Sequence, residues 1–216
     1  WISNISHDLK TPLSSIKGYA ELLTNPEYKI SNEEIIKYAN IILNKTNYME
    51  ELIEDLRLNE KLKNKVLTIE KTKENLTQFL REVIIEILNH PDYENRVIHY
   101  NPLDENIEYT FDKNLFERSI SNLIYNALIH NDKDTEVIVN LYKNDKIYIE
   151  IKDNGKGISE VDLKNLFNRY YRGTNTDIHK GSGLGMSIAK EVIETHGGII
   201  SVESEINKGT NIKIIL

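Results

Sequence analysis

A histidine with a carboxylate neighbour lies near the start of the chain, in the heptapeptide Ser6–Pro12 (SHDLKTP). A neutral imidazole is a competent nucleophile near pH 7, and an adjacent carboxylate can orient the ring and stabilise the charge that develops as it attacks. Asp8 offers such a carboxylate to His7, and Lys10 brings positive charge. Pro12 is expected to disturb the local helix. The heptapeptide therefore predicts nucleophilic chemistry at His7, which needs an electrophile from elsewhere in the chain.

The segment Asp153–Gly157 (DNGKG) is a first candidate for binding the electrophile, because it follows a predicted buried strand. The glycines Gly155 and Gly157 permit a close approach of the backbone to a ligand. Asp153 can accept a hydrogen bond from an exocyclic amine such as that of adenine. By itself the segment is also typical of an ordinary surface turn, since Asp-Asn-Gly is common turn chemistry.

A second glycine-rich segment, Gly181–Gly185 (GSGLG), stands directly before a predicted helix. Such a loop presents free amides and the positive end of the helix dipole to phosphates. It matches neither a P-loop nor a dinucleotide fingerprint. The long polar stretch 167–180 before it contains Arg169, Arg172 and Lys180, which favours a mobile lid over phosphates. An ordinary flexible loop is the alternative.

Asn122 and Asn126 are four residues apart, and therefore lie on one face of a predicted helix. Amide oxygens are hard neutral ligands, suited to a Mg²⁺ ion held mainly by nucleotide phosphates. Two asparagines on a helix are more often simply solvated. The glycine-rich segments make the metal-binding interpretation the stronger one.

The first 60 residues show helical periodicity throughout. Apolar residues recur every three or four positions from Ile2 to Leu23, and Asn25-Pro26 ends that helix. Ser31 and Glu34 predict a capping box that opens a second helix. His7 falls outside the first apolar stripe, so its side chain is expected to face solvent.

The second helix carries a heptad seam from Ile35 to Leu56. Two antiparallel helices have too little surface to bury both of their seams. We therefore expect an all-α helical hairpin that forms a homodimer through residues 1–60, as a four-helix bundle.

The pattern changes after a short polar linker, residues 61–65, and residues 66–216 read as a second domain. Short alternating strands and amphipathic helices predict an α+β fold, with helices packed on one face of a mixed β-sheet. The expected strands are Val66–Glu70, Arg96–Tyr100, Ile107–Phe111, Val137–Leu141, Ile147–Ile151, Ile199–Glu203 and Thr210–Leu216. The expected helices are Leu76–Leu88, Asn114–His130 and Gly185–His196. At the end of the last helix, a partly charged His196 would suit the helix dipole.

Composition limits the classes of function. The 216 residues include 34 acidic and 27 basic side chains, and the net charge of −7 argues against nucleic-acid binding. The absence of cysteine excludes disulfides and thiolate metal sites. No apolar run is long enough to span a bilayer. Because the chain begins at Trp1, close to the reactive histidine, we interpret it as the cytoplasmic portion of a longer protein, with a membrane segment expected upstream.

Taken in this order, the elements resemble the cytoplasmic core of the sensor histidine kinases of two-component systems, over essentially the whole chain. Five ordered motifs carry the resemblance, and together they are far more specific than any one alone. They are similar to the H box (His7–Pro12), the N box (Asn122–Ala127), the first glycine box (Asp153–Ile158), the F box (Leu166–Arg172) and the second glycine box (Gly181–Gly185). The pairs Gly197-Gly198 and Gly209-Thr210 fit the closing strands of that family.

Some positions depart from the family pattern. Asp8 replaces the commoner glutamate, Lys10 replaces arginine, and Asn168 replaces an acidic residue of the F box. Ile129 stands where the family often has a basic residue that touches phosphate. Either the basic residues of the predicted lid take over that contact, or the affinity for ATP is modest.

The resemblance implies a role for each matching residue. His7 is the phosphoacceptor, Asp8 its base or orienting partner, and Thr11 positions water in the reverse reaction. Asn122 and Asn126 hold Mg²⁺. The residues implied to bind ATP are Asn122, Asn126, His130, Asp153, Gly155, Gly157, Phe167, Arg169, Arg172, Lys180, Gly181, Gly183, Leu184, Gly185 and Thr210.

These roles predict transfer of the γ-phosphoryl group of ATP to His7, and then to an aspartate in the receiver domain of a response regulator. The same core is expected to dephosphorylate that regulator. Two alternatives remain open at this point. A related ATPase or clamp would release phosphate without forming a phosphoprotein, and a degenerate scaffold would signal without binding Mg-ATP.

Overall fold

The computed structural model describes residues 2–64, 66–173 and 183–216. The chain divides into two compact units, Trp1–Glu60 and Lys61–Leu216.

The first unit is built from two long helices, α1 (Ile2–Thr24) and α2 (Asn32–Lys63). The predicted capping box opens α2, because the backbone amide of Glu34 donates to Ser31 Oγ at 3.3 Å. The Glu34 carboxylate in turn accepts from the Ser31 amide at 2.9 Å. The rings of Tyr19 and Tyr38 join the two helices, with their centroids 5.2 Å apart. The unit therefore has the helical hairpin that the sequence predicts.

One copy of the hairpin leaves much of its apolar surface uncovered. Leu52 on α2 is only 3% exposed, but several large aliphatic side chains are more than a third exposed. They are Leu13, Ile35, Ile36, Leu43 and Ile53. Ile35 and Ile53 belong to the predicted heptad seam, so part of that seam faces solvent in a single chain.

The second unit has eleven elements within the described residues, and their bounds are as follows. The strands are β1 (Thr72–Asn75), β2 (Val97–Pro102), β3 (Glu108–Phe111), β4 (Glu136–Lys143), β5 (Ile147–Asp153), β6 (Ile199–Glu205) and β7 (Gly209–Ile215). The helices are α3 (Leu76–Asn89), α4 (Lys113–Ile129), α5 (Glu160–Asn165) and α6 (Gly185–Thr195).

Five strands form the main sheet, in the order β2-β4-β5-β7-β6. Strands β2 and β4 run parallel and the other neighbours are antiparallel, so the sheet is mixed as predicted. Buried and less buried residues alternate along β4 and β5, which shows that one face of the sheet is covered. Helices α3, α4 and α6 supply the apolar side chains of this core. Strands β1 and β3 pair separately as a two-stranded ribbon.

Two local predictions were wrong. Residues 66–70, expected as a strand, have no strand structure, and Val66 is 70% exposed. The backbone amide of Glu70 donates to the Asp112 carboxylate instead, and strand pairing begins at Thr72. Residues 61–63 of the expected linker are helical, because α2 continues through Lys63 with no glycine or proline to stop it.

No helix within the described ranges is both long and apolar enough to cross a membrane.

Candidate functional site

The structure places His7 on α1 with its side chain 69% exposed, as the periodicity predicts. The Asp8 side chain is only 11% exposed, and its Oδ1 lies 3.7 Å from His7 Nδ1. A carboxylate beside Nδ1 favours a proton on that nitrogen, which leaves Nε2 as the unprotonated, nucleophilic atom. The geometry therefore fits the accessible nucleophile and the orienting carboxylate that the sequence predicts.

Pro12 lies inside α1 without ending it. Since proline has no backbone N–H, the Asp8 carbonyl loses the donor that a helix would normally provide four residues later. At the preceding residue, the carbonyl of His7 accepts from the Thr11 hydroxyl at 3.1 Å. Thr11 and His7 thus lie on the same face of α1 in successive turns, and both residues are exposed.

Asp153 ends strand β5 with its side chain partly buried. Its Oδ1 accepts a hydrogen bond from the Gly155 amide at 2.9 Å, and Thr210 on the neighbouring strand also donates to the carboxylate. Burial raises the pKa of Asp153, and the hydrogen bonds offset part of that effect. A carboxylate held in this way is a directed acceptor.

The glycines of the first glycine box are explained by close contacts. Gly157 has φ +69°, and a Cβ there would lie 2.1 Å from the Glu205 carbonyl oxygen. At Gly155 a Cβ would lie 2.1 Å from the side-chain amide of Asn131. Gly157 therefore needs glycine, because backbone occupies the space and its φ is one that other residues rarely adopt. A side chain at position 155 would have to displace the Asn131 amide.

The sequence analysis missed Asn131, just beyond α4. Its Nδ2 donates to the Ala127 carbonyl at 2.9 Å and to Asp153 Oδ1 at 3.3 Å, while its Oδ1 accepts from the Lys156 amide at 2.9 Å. This side chain links the helix of the N box to the first glycine box. The only signal in the sequence was an asparagine at the end of a predicted helix, which is common at helix ends.

Asn122 and Asn126 both lie on α4 and are partly exposed. Asn122 Nδ2 donates to the Gly185 carbonyl at 3.4 Å, which joins the N box to the end of the second glycine box. That bond leaves Asn122 Oδ1 as the atom available to a cation. Among the described residues, no group of three or more His, Cys, Asp or Glu side chains could hold a metal. An ion here would therefore depend on neutral amide oxygens and on a ligand's own oxygens.

The predicted lid is anchored at both ends. The guanidinium of Arg169 forms an ion pair with Glu191 on α6. The backbone amide of Tyr170 donates to the carbonyl of Gly183 at 2.9 Å, and the Tyr171 hydroxyl donates to buried Asp162 at 2.7 Å. These contacts bring the two ends of the loop together.

The remaining residues predicted to bind ATP in this region are Phe167, Arg172, Lys180 and Gly181. The Phe167 ring lies under the ammonium group of Lys190, which is 5.3 Å from the ring centroid. Arg172 is half-buried just before the gap in the described residues. Lys180 and Gly181 lie outside the described residues.

Helix α6 begins at Gly185, directly after buried Leu184. The side chain of Leu184, the N-cap residue, cannot accept a hydrogen bond from the first amides of the helix. On strand β7, Thr210 Oγ1 lies 3.0 Å from Ser204 Oγ, which also accepts from the Ile158 amide at 2.8 Å. The first glycine box is thus tied to the closing strands.

At the C-terminal end of α4, His130 is the C-cap residue and Ile129 is half-buried. The guanidinium of Arg96 donates to the carbonyls of Leu128 and Asp132, at 3.0 and 2.8 Å. Arg96 thus neutralises the negative end of the helix from a distant part of the sequence.

His196 does not carry the partial charge that the sequence predicts. It is 6% exposed, its Nε2 accepts from the Asp112 amide at 3.0 Å, and its Nδ1 donates to the Val192 carbonyl at 2.7 Å. Burial lowers the pKa of His196, because the charged imidazolium would lose its hydration. The ring is therefore a neutral structural link.

Two family models match the chain. Residues 1–65 match the "His Kinase A (phospho-acceptor) domain". Residues 111–216 match the "Histidine kinase-, DNA gyrase B-, and HSP90-like ATPase". The two matches follow one another in the order of the two structural units.

Curated relatives align over the full length of the chain. It is 45% identical to the sensor histidine kinase YvrG of Bacillus subtilis over 217 residues, covering 100% of this chain and 37% of YvrG. It is 29% identical to the sensor histidine kinase WalK of the same species, covering 36% of that protein. The chain thus spans little more than a third of these relatives.

Solved structures share the fold. The histidine kinase AdeS of Acinetobacter baumannii superposes with a TM-score of 0.77 at 18% identity, covering 97% of this chain and 96% of the other. The histidine kinase ThkA, in complex with the response regulator protein TrrA, gives a TM-score of 0.75 at 20% identity. That match covers 100% of this chain and 60% of ThkA.

Proposed function

Since the chain belongs to the sensor histidine kinases, with a phosphoacceptor domain followed by an ATPase domain, we propose that it phosphorylates its own His7 from ATP. The observation that carries this proposal is the environment of His7. The imidazole is exposed on α1, an acid lies beside Nδ1, and Nε2 is left to react. The second unit of the same chain carries the candidate nucleotide-binding residues.

The proposed step is an in-line displacement at the γ-phosphorus. His7 Nε2 forms a bond to phosphorus as the bond from phosphorus to the bridging oxygen of ADP breaks, and ADP leaves with that electron pair. The proton on Nδ1 stays on the ring, where the Asp8 carboxylate offsets the positive charge. Asp8 thus orients the ring and stabilises its charge.

Residues of the second unit are proposed to bind the nucleotide. Asp153 would accept a hydrogen bond from the adenine amine, and the N-terminus of α6 would face the phosphates. The oxygens of Asn122 and Asn126 suit a Mg²⁺ ion, which when bound would neutralise phosphate charge. Support for this comes from the Asn122–Gly185 contact, because it joins the proposed metal-binding helix to the proposed phosphate loop.

We further propose two partners. The first is a second copy of the chain, which would cover the exposed aliphatic side chains of the hairpin, such as Ile36 and Leu43, in a four-helix bundle. The second is the receiver domain of a response regulator, whose aspartate would accept the phosphoryl group from His7. ThkA, which shares the fold, was crystallised with a response regulator protein. Thr11 would position water for dephosphorylation of the regulator.

The test is phosphorylation with γ-labelled ATP and Mg²⁺. The wild-type chain should acquire an acid-labile, alkali-stable label, and His7→Gln should acquire none. His90→Gln is the matched control, since His90 is also exposed and its Nδ1 lies 3.8 Å from a carboxylate, that of Asp92. Label retained by His7→Gln would refute the assignment. Phosphate release without labelled protein would favour an ATPase or clamp instead.

A further inference from the structure

Asn131 uses both ends of its side-chain amide inside the proposed adenine site. Nδ2 donates to the Ala127 carbonyl and to Asp153 Oδ1, and Oδ1 accepts from the Lys156 amide. The bond to Ala127 ties the side chain to the last turn of α4, and the other two tie it to the first glycine box. The amide is therefore fixed in direction before any ligand binds.

Packing holds the amide in the same place. A Cβ on Gly155 would lie 2.1 Å from both Cγ and Oδ1 of Asn131, so the amide rests directly on the glycine backbone. A side chain at position 155 would therefore displace the Asn131 amide even when no ligand is bound. The amide cannot turn away without leaving this contact and its hydrogen bonds.

The fixed amide orients Asp153. Oδ1 of Asp153 receives hydrogen bonds from the Gly155 amide at 2.9 Å and from Asn131 at 3.3 Å. Two donors on one oxygen fix the plane of the carboxylate, and therefore the direction of its lone pairs. The Gly155 amide belongs to the same short loop as Asp153, and Thr210 donates to the carboxylate from the neighbouring strand. Asn131 alone among these three donors anchors the carboxylate to a helix.

We infer that Asn131 is a positioning residue that sets the preference for adenine, by holding the Asp153 carboxylate in the direction that accepts from the exocyclic amine. The inference rests on the proposed function, in which Asp153 contacts adenine. A residue that only stabilises the fold would affect all nucleotides alike. A residue that aims Asp153 affects only nucleotides that carry the amine.

The experiment compares two nucleotides, ATP and purine riboside triphosphate, which lacks only the 6-amino group. Calorimetry in Mg²⁺ with His7→Gln as the background measures both dissociation constants without turnover. In that background Asn131→Ala should lower the preference for ATP by about ten-fold, since one hydrogen bond to a charged group is lost, while affinity for the analogue changes little.

Two further variants make the result decisive. Asn131→Asp keeps the shape and the acceptor for the Lys156 amide, but a carboxylate oxygen replaces the donor to Ala127 and Asp153 and repels the Asp153 carboxylate. At least the same loss of preference is therefore expected, even where Asn131→Ala folds poorly. Asn75→Ala is the control. It removes an asparagine that caps α3, with its Oδ1 accepting from the Gln78 amide at 3.0 Å, and the preference should stay unchanged.

The outcomes distinguish a failure of the proposed nucleotide binding from a failure of the role inferred for Asn131. If the background protein binds neither nucleotide, the proposed function fails and this inference fails with it. If it binds ATP and both Asn131 variants keep its preference for ATP over the analogue, the inference alone is wrong. If they lose that preference and Asn75→Ala does not, the assignment of Asn131 stands.

Discussion

Acid should destabilise the second unit through His196. This buried residue joins three elements. The ring accepts at Nε2 from the amide of Asp112, which caps α4, and donates from Nδ1 within α6. The backbone carbonyl of His196 accepts from the hydroxyl of Tyr109 on β3 at 2.8 Å. Protonation would place an N–H on Nε2 facing the N–H of Asp112. Two donors would then oppose each other in a buried site.

The change in unfolding free energy with pH follows from the difference between the His196 pKa in the folded and unfolded chain. Burial holds the pKa of His196 below the ordinary value of about 6.5, and nearby Lys71 acts in the same direction while Asp112 opposes it. The unfolded chain therefore takes up a proton that the folded chain refuses. The stabilising contribution is complete above about pH 6.5 and is lost as the pH falls from there towards the folded pKa, by at most about 1.4 kcal/mol per pH unit.

The assay is urea unfolding from pH 8 to pH 5, with hydrogen exchange of peptides from α4 and α6 to separate this unit from the helical hairpin. His196→Gln cannot titrate at this position, so the difference in unfolding free energy between wild type and variant should shrink as the pH falls. Exposed His99, whose Nε2 lies 3.6 Å from Glu136, provides the matched variant His99→Gln. A difference that stays constant over this pH range would refute the argument.

Three further predictions concern a glycine, a buried carboxylate and the helical hairpin. Gly157→Ala should abolish ATP binding or folding, since its Cβ would collide with the last carbonyl of β6 at 2.1 Å; calorimetry and circular dichroism distinguish the two results. Asp162→Ala should lower the free energy of unfolding in urea by about 1–3 kcal/mol, because it removes the buried acceptor of the Ser159 and Tyr171 hydroxyls. Leu43→Glu should weaken the proposed dimer in sedimentation, whereas Leu103→Glu, also exposed, should not.

Much of the fold could be predicted from local patterns. The capping box at Ser31, the hairpin of β4 and β5 and the helix of the N box all depend on residues close together in the sequence. The errors at residues 66–70 and at His196 arose where the chain contacts a distant residue. Residues 66–70 alternate like a strand, yet Glu70 bonds to the carboxylate of Asp112. His196 was expected to be partly charged because its deep burial could not be inferred from the sequence.

In the candidate site, too, local features could be predicted and contacts between distant residues could not. Motif spacing identified Asp153 and its glycines, because a tight backbone approach leaves glycine as a local mark. Asn131 left no such mark, since its hydrogen bond to Asp153 joins it to a loop that follows 22 residues later. The pairing of Arg169 with Glu191 was missed for the same reason, although both residues were visible as charges. Sequence patterns reveal which residues need special backbone geometry, and they do not reveal which side chains hold one another.

Helix α4 connects these distant contacts. Its first residues are held by Asp112, its middle reaches Gly185 through Asn122, and its end is fixed by Arg96 and Asn131. Because the candidate nucleotide residues are attached to one helix, their mutual geometry should change little during a reaction cycle. His7 belongs to a separate compact unit. The proposed transfer to His7 would therefore use a nucleotide site whose described residues on α4 are already held in place.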